Sequence, residues 1–233
     1  MGIAPPLFAL GLALLLVLPG LLNGARRMWL LLFLATLLLI LGLQALPNLV
    51  PGERVLGNHW NWSGHLLGLA GAAWVATQLA RRAGMPWRDM GLTLAQAPGS
   101  LRGALLVSAA ALALNVLVMS LGGFRLAGVP AETWVYQATL PGLLEETVFR
   151  GLLLALLDRA YAARKPMLGV GVGWGGAVVT LVFLALHGIT PGTLLGVLPA
   201  AGLYLWLRLR TGSLMLPVLV HNSWNLSVYA AHL

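Results

Sequence analysis

The sequence predicts an all-α fold, a polytopic membrane helix bundle of about eight transmembrane helices. Three observations carry that expectation. Of 233 residues, 59% are hydrophobic and only 9% charged, against roughly 25% charged in an ordinary soluble domain. The apolar residues fall into runs approaching the ~20 residues needed to cross ~30 Å of hydrocarbon. The basic residues responsible for the net charge of +8 sit in short gaps between those runs, where they set topology and leave no face for nucleic acid. Cysteine is absent, which removes disulfides, thiolate nucleophiles and Cys-ligated metal sites together.

The first span runs from Pro5 to Leu22 and lacks the positive flank of a cleavable leader, so it is expected to be a retained helix. Arg26 and Arg27 separate it from a Leu-rich second span, Met28–Leu46. The polar stretch Pro47–Gly64 follows, with Trp60 and Trp62 as expected interfacial anchors. The Asn61-Trp62-Ser63 sequon within it is too short a pattern to carry weight. Span three, His65–Ala80, ends at Arg81 and Arg82, and the segment to Ser100, with Pro86, Trp87, Arg88 and Asp89, is expected to lie along the membrane surface.

Span four is Leu101–Leu121, and span five is Tyr136–Leu157 with Pro141-Gly142 near its start. Span six is Leu168–Ile189, Gly-rich in its first half, where small residues let helices approach. Span seven is Thr193–Leu207 and span eight Ser213–His232. Residues 1–100 thus form N-terminal helices and a surface segment, and 101–233 the helix core, within one integral membrane domain.

Alternate gaps hold Arg26, Arg27, Arg81, Arg82, Arg88, Arg102, Arg159, Arg164, Lys165, Arg208 and Arg210, whereas the opposite gaps hold only Arg54 and Arg125. This asymmetry places both termini outside. The bias toward Arg, Leu, Ala and Gly is that of a GC-rich bacterial genome, and the expected location is a bacterial cytoplasmic membrane.

Span five carries the feature that hydropathy does not explain: Glu145, Glu146 and Arg150 within six positions. An ionised side chain in hydrocarbon costs about 2.5–3.5 kcal/mol or more, so each needs a partner and a purpose. Glu146 and Arg150 stand at i and i+4 with the acid N-terminal, the favourable order for a helical ion pair. Glu145 points about 100° away and is left without that partner. A carboxylate not already neutralised is free to take a proton, as a general base must. Span six adds His187, one turn after Phe183; span eight adds His221 and Asn225 on one face. His65, His232, Gln44 and Gln78, near span ends, are assigned to the interface. A lone intramembrane His is often helix-bonding glue. A carboxylate, two imidazoles and an amide on three spans call for a common explanation.

These residues resemble a known family. Glu145-Glu146-Thr147-Val148-Phe149-Arg150 matches an EExxxR motif, Phe183 to His187 an FxxxH motif, and His221 to Asn225 an HxxxN motif. They occur in the order found in the CPBP intramembrane proteases, which include the type II CAAX prenyl endopeptidases (Ras-converting enzymes) and the Abi-type proteins. The likeness covers about residues 101–230 and includes the Leu207–Leu214 segment ahead of the last His.

The resemblance implies peptide-bond hydrolysis in or at the edge of the membrane, on a lipidated or membrane-embedded protein or peptide. It implies Glu145 as general base acting with His187 on water, His221 and Asn225 stabilising the oxyanion, and Glu146 and Arg150 as support beside Phe183. No cofactor is required on this reading. The alternative is a zinc site of Glu146, His187 and His221, three ligands leaving a fourth position for water. Loop charges put Glu145 about 14 Å below the outer end of span five, counted from Tyr136, and His187 near the outer end of span six. That placement argues against a prenylated substrate arriving from the cytosol. A rival of another class is a non-proteolytic immunity, scaffold or proton-linked transport protein using the same polar cluster. The oligomeric state is left open.

Overall fold

The structure, a computed structural model, describes residues 4–49, 59–122 and 128–230. Arg54, Arg125 and His232, which enter the expectations above, lie outside the described residues.

Helices α1 (Ala4–Leu21) and α2 (Gly24–Ala45) form an antiparallel pair. Asn23 caps α2 by accepting the Ala25 N–H at 3.0 Å. The first helix buries Ala9, Ala13, Val17 and Gly20 and packs on α7 (Trp174–Leu186), while α2 buries Leu30, Phe33, Leu37 and Ile40. Helix α3 (Trp62–Arg82) is capped by Asn61, whose Oδ1 accepts from Gly64 N at 3.0 Å. The sequon asparagine is therefore a helix cap. Gly68 and Gly71 give α3 a small face: an added Cβ would press on Leu144 at the first and Leu43 at the second.

Residues 83–100 form turns and no helix. This segment folds onto the end of the bundle, burying Met85 and Met90. Gly91 O accepts from Leu214 N at 2.9 Å, and Ala97 N donates to Thr211 O at 2.7 Å. Helix α4 (Leu101–Leu121) has the bounds expected of span four. It buries only Ala104, Ser108 and Asn115, leaving Leu105, Leu106, Leu114 and Leu117 exposed as a lipid-facing helix should.

Span five is longer than the apolar run suggested. Helix α5 (Ala131–Glu146) continues through a π-helical segment, Thr147–Leu153, into α6 (Leu154–Ala160) as one rod. Glu145 stands fourteen residues after Ala131 and fifteen before Ala160, in the middle of that rod. Span six is shorter than expected. Strands β1 (Arg164–Met167) and β2 (Val170–Gly173) pair antiparallel across a two-residue turn, with Leu168 at φ 51° and Gly169 at φ 76°. Positive φ at both central positions is the hairpin geometry that matches strand twist. Helix α7 therefore begins six residues after Leu168, and its 13 residues extend only about 20 Å. That is shorter than the ~30 Å of a bilayer's hydrocarbon, and His187 is its C-cap.

Helix α8 (Pro191–Thr211) opens on a Thr190/Thr193 capping box and closes at Gly212, φ 75°. Helix α9 (Met215–Ala230) completes the described chain. Eight helical rods are present among the described residues, counting α5 through α6 as one. Among the described residues four segments meet the length and apolarity of a membrane span: Ala4–Leu21, Gly24–Leu49, Leu101–Leu121 and Pro191–Thr211. Of the others, α7 and α9 are shorter, α5 through α6 carries the acids of the site, and α3, though 21 residues long, falls short in apolarity. The bundle is that of an integral membrane protein. Basic connections gather at one end, where Arg159 reaches Asp89, Arg26 covers the Tyr161 ring and Arg208 donates to Asp89 O.

Candidate active site

The mid-rod acids face α7, α8 and α9. Pro141 lies inside α5 and has no N–H to give. Asn222 of α9 braces the helix beside it: its Oδ1 accepts from Gly142 N at 2.8 Å and its Nδ2 donates to Thr139 O at 3.2 Å. A side chain at 142 would run into Asn222 Oδ1 and Val218 O. Glycine there lets α5 and α9 touch backbone to backbone, which brings His221 to the acids.

Glu146 and Arg150 are both fully buried and paired, with Arg150 Nη1 donating to Glu146 Oε1 at 3.1 Å. Arg150 Nη2 donates to Ala201 O at 3.0 Å, and its guanidinium lies 4.3 Å from the centre of the Phe183 ring. Two buried charges are tolerable only with such additional partners. The same Glu146 Oε1 accepts from His221 Nδ1 at 2.7 Å.

Glu145 is separated from that pair, as its helical position requires. Its Oε2 is buried and has no hydrogen-bond partner among the described residues. It faces His221 Nε2 at 3.8 Å and His187 Nε2 at 4.0 Å. Both distances are too long for direct hydrogen bonds and suit a bridging water or substrate atom.

The far nitrogens fix both imidazoles. His187 Nδ1 donates to Phe183 O at 2.9 Å, the C-terminal turn of α7 holding its own ring. His221 Nδ1 is held by Glu146. Each Nδ1–H is thereby committed and each Nε2 aimed at Glu145. The rings are packed as well as bonded. Phe183 lies 4.6 Å from the His187 ring, with Phe149 edge-on to it at 5.2 Å. Tyr204 stacks on His221 at 4.6 Å and 12°.

Glu145, Glu146, Arg150, Phe183, His187 and His221 are thus brought together. Asn225 stands one turn beyond His221, half-buried, and makes no hydrogen bond among the described residues. The zinc set of Glu146, His187 and His221 does not close on one point: Glu146 occupies the Nδ1 side of His221, while His187 faces its Nε2 side through Glu145. Among the described residues no three His, Asp or Glu side chains are placed to hold a metal ion.

Tyr204, Asn222 and Ala201 O were not anticipated. Asn222 adjoins His221 and could have been read as a helix brace, but Tyr204 and Ala201 lie on an ordinary apolar span with no local signal. Three residues assigned to the interface also have partners within the bundle. His65 is half-buried, its Nδ1 on Asn61 O at 3.0 Å and its Nε2 within 3.0 Å of the Tyr136 hydroxyl. Trp60 stacks on Tyr136 at 4.9 Å, and Trp62 Nε1 donates to Glu132 at 3.0 Å, so both tryptophans clamp the start of α5.

No curated protein and no solved structure matches the chain. Residues 128–227, which contain every site residue from Glu145 to Asn225, match the family described as type II CAAX prenyl endopeptidase Rce1-like. That segment, which encloses the three motifs, is similar to the CAAX-type proteases of the CPBP family.

Proposed function

We propose that the protein is an intramembrane endopeptidase that cleaves a membrane-associated protein or peptide with a water activated by Glu145. The observation that carries this reading is the position of Glu145 Oε2, buried, unpartnered and aimed at two imidazole Nε2 atoms from 3.8 and 4.0 Å.

The Nδ1 partners divide the work of the two histidines. His187 Nδ1 donates to a carbonyl, leaving its Nε2 to accept from water. His221 Nδ1 meets a carboxylate, and in this scheme its Nε2 is the donor. A water between Glu145 and His187 gives one proton to Glu145 as its oxygen attacks the scissile carbonyl. His221 then donates to the oxyanion, with Asn225 as second donor once substrate is bound. Glu145 returns the proton to the leaving amine, and the peptide bond breaks. Glu146 and Arg150 touch neither water nor substrate in this scheme; they hold His221 and each other. No step passes through a metal.

The family's description points to prenylated CAAX-type substrates. Glu145 in the middle of the rod is compatible with approach from either face. An apolar groove of about 490 Å³, lined in part by Leu92, Leu143, Thr147, Leu214 and Met215, lies on the face of the rod that carries Leu143 and Thr147 and is a candidate seat for a substrate's lipid or apolar segment. The test is cleavage of a farnesylated CAAX peptide, its unprenylated form and a transmembrane peptide by purified protein in liposomes. The farnesylated peptide is expected to be cut in preference to the other two. Turnover of none of the three by protein that remains folded would contradict the reading.

A further inference from the structure

A second cavity lies farther along the same rod, on the order of 13 Å from Glu145 at 1.5 Å per residue. It measures about 410 Å³, and its polar lining is Arg88, Asp89, Asp158, Arg159, Arg164 and Arg208. Leu154 and Leu209 supply apolar wall. Four arginines meet two aspartates, so positive charge is in excess.

The pairing shows where that excess resides. Arg159 Nη2 lies 2.9 Å from Asp89 Oδ2, and Arg164 Nη2 lies 2.7 Å from Asp158 Oδ2. Arg88 reaches Asp89 only at 3.9 Å and its side chain is 82% exposed. Arg208 is buried, and no carboxylate touches it. Its Nε donates to Arg150 O at 3.1 Å and its Nη2 to Asp89 O at 2.8 Å, with no acceptor for Nη1 among the described residues. The nearest carboxylates, Asp158 and Asp89, act on Arg208 only through space and are themselves paired with Arg164 and Arg159. An anion in the cavity would add the counter-charge that four arginines and two aspartates leave short, and the planar guanidinium fork suits phosphate.

The placement of the cavity indicates the source of that anion. It opens among the basic connections at one end of the bundle, the end that the loop charges assign to the cytoplasmic leaflet, whose lipids are anionic. A headgroup phosphate lies at that level, with the apolar wall available to the glycerol and upper chain. We infer that this cavity is a binding site for a phosphate-bearing anion, supplied as the headgroup of an anionic phospholipid.

The full chain in detergent is titrated with phosphatidylglycerol, phosphatidylcholine or inorganic phosphate while its melting temperature is followed. Phosphatidylglycerol is expected to raise it saturably, and the other two not. Arg88→Gln, at an exposed and weakly paired position, should weaken the response about fivefold, and Arg88→Gln with Arg164→Gln about 30-fold. Arg81→Gln, exposed and outside the cavity, should leave it unchanged. An equal response to phosphatidylcholine, or equal weakening by Arg81→Gln, overturns the site. The same saturable shift with inorganic phosphate alone overturns the lipid assignment in favour of free phosphate.

Discussion

His221 donates its Nδ1–H to Glu146 at 2.7 Å, and both side chains are buried. This bond ties the last helix to the acid pair of α5 and turns the other ring nitrogen toward Glu145. The conspicuous EE sequence therefore contains two acids of different kind. Glu146 works through its neighbours, and Glu145 faces the open side of the site.

Arg150→Ala should remove activity mainly by stranding Glu146. Deleting one member of a buried pair costs about 3–5 kcal/mol, and here the Ala201 carbonyl and the Phe183 ring lose their cation too. The thermal melt of the purified variant is expected to fall by many degrees. An inactive variant with an unchanged melt would instead give Arg150 a direct catalytic role.

Tyr204 is expected to be a positioning residue through its stack on His221. Tyr204→Leu should lower kcat up to about tenfold, the worth of an aromatic pair, and leave KM unchanged. Tyr204→Phe keeps the ring and should keep the rate. Equal loss in both variants would implicate the hydroxyl and not the stack.

Much of this arrangement was legible in the sequence because it rests on helical spacing. The i, i+4 step pairs Glu146 with Arg150, sets Phe183 beside His187, and turns Glu145 out of the pair. What the spacing could not give is which residue of another helix fills the remaining contacts. Tyr204 reads as one more apolar-span aromatic until α8 is laid against α9. The Gly-rich start of span six misled for a related reason: Val170-Gly171-Val172-Gly173 alternates with period two, the mark of a strand, but hydropathy averaged over a window hides alternation. Trp60, Trp62 and His65 were assigned to the interface by position along the chain, whereas the rings of Tyr136 and the side chains of Glu132 and Thr133 claim them.

Gly142→Ala should damage the site without touching any acid or histidine. The new methyl would meet Asn222 Oδ1 at 2.5 Å and Val218 O at 2.9 Å, so α5 and α9 must part. Overpacking of this kind costs about 1–3 kcal/mol, and the separation moves His221 from Glu145. Reduced kcat with a lowered melt is the expected result. A variant with wild-type kcat would show that the close helix approach is dispensable.

On the proposed mechanism cleavage should be independent of metal, because Glu146 sits on the Nδ1 side of His221, away from the Nε2 atoms that face Glu145. Purified protein treated with excess chelator and then dialysed should keep its rate, and added zinc should not increase it. Activity lost to the chelator and restored by zinc would require a different donor set.

The central claim rests on Glu145, and its most direct test is Glu145→Gln in purified protein assayed on a cleavable substrate, with the melt recorded alongside. Because Glu145 Oε2 has no partner among the described residues, the amide should leave the fold and melting temperature unchanged. Loss of the general base should lower the cleavage rate by at least about 100-fold. Cleavage at the wild-type rate by folded Glu145→Gln protein would contradict the account.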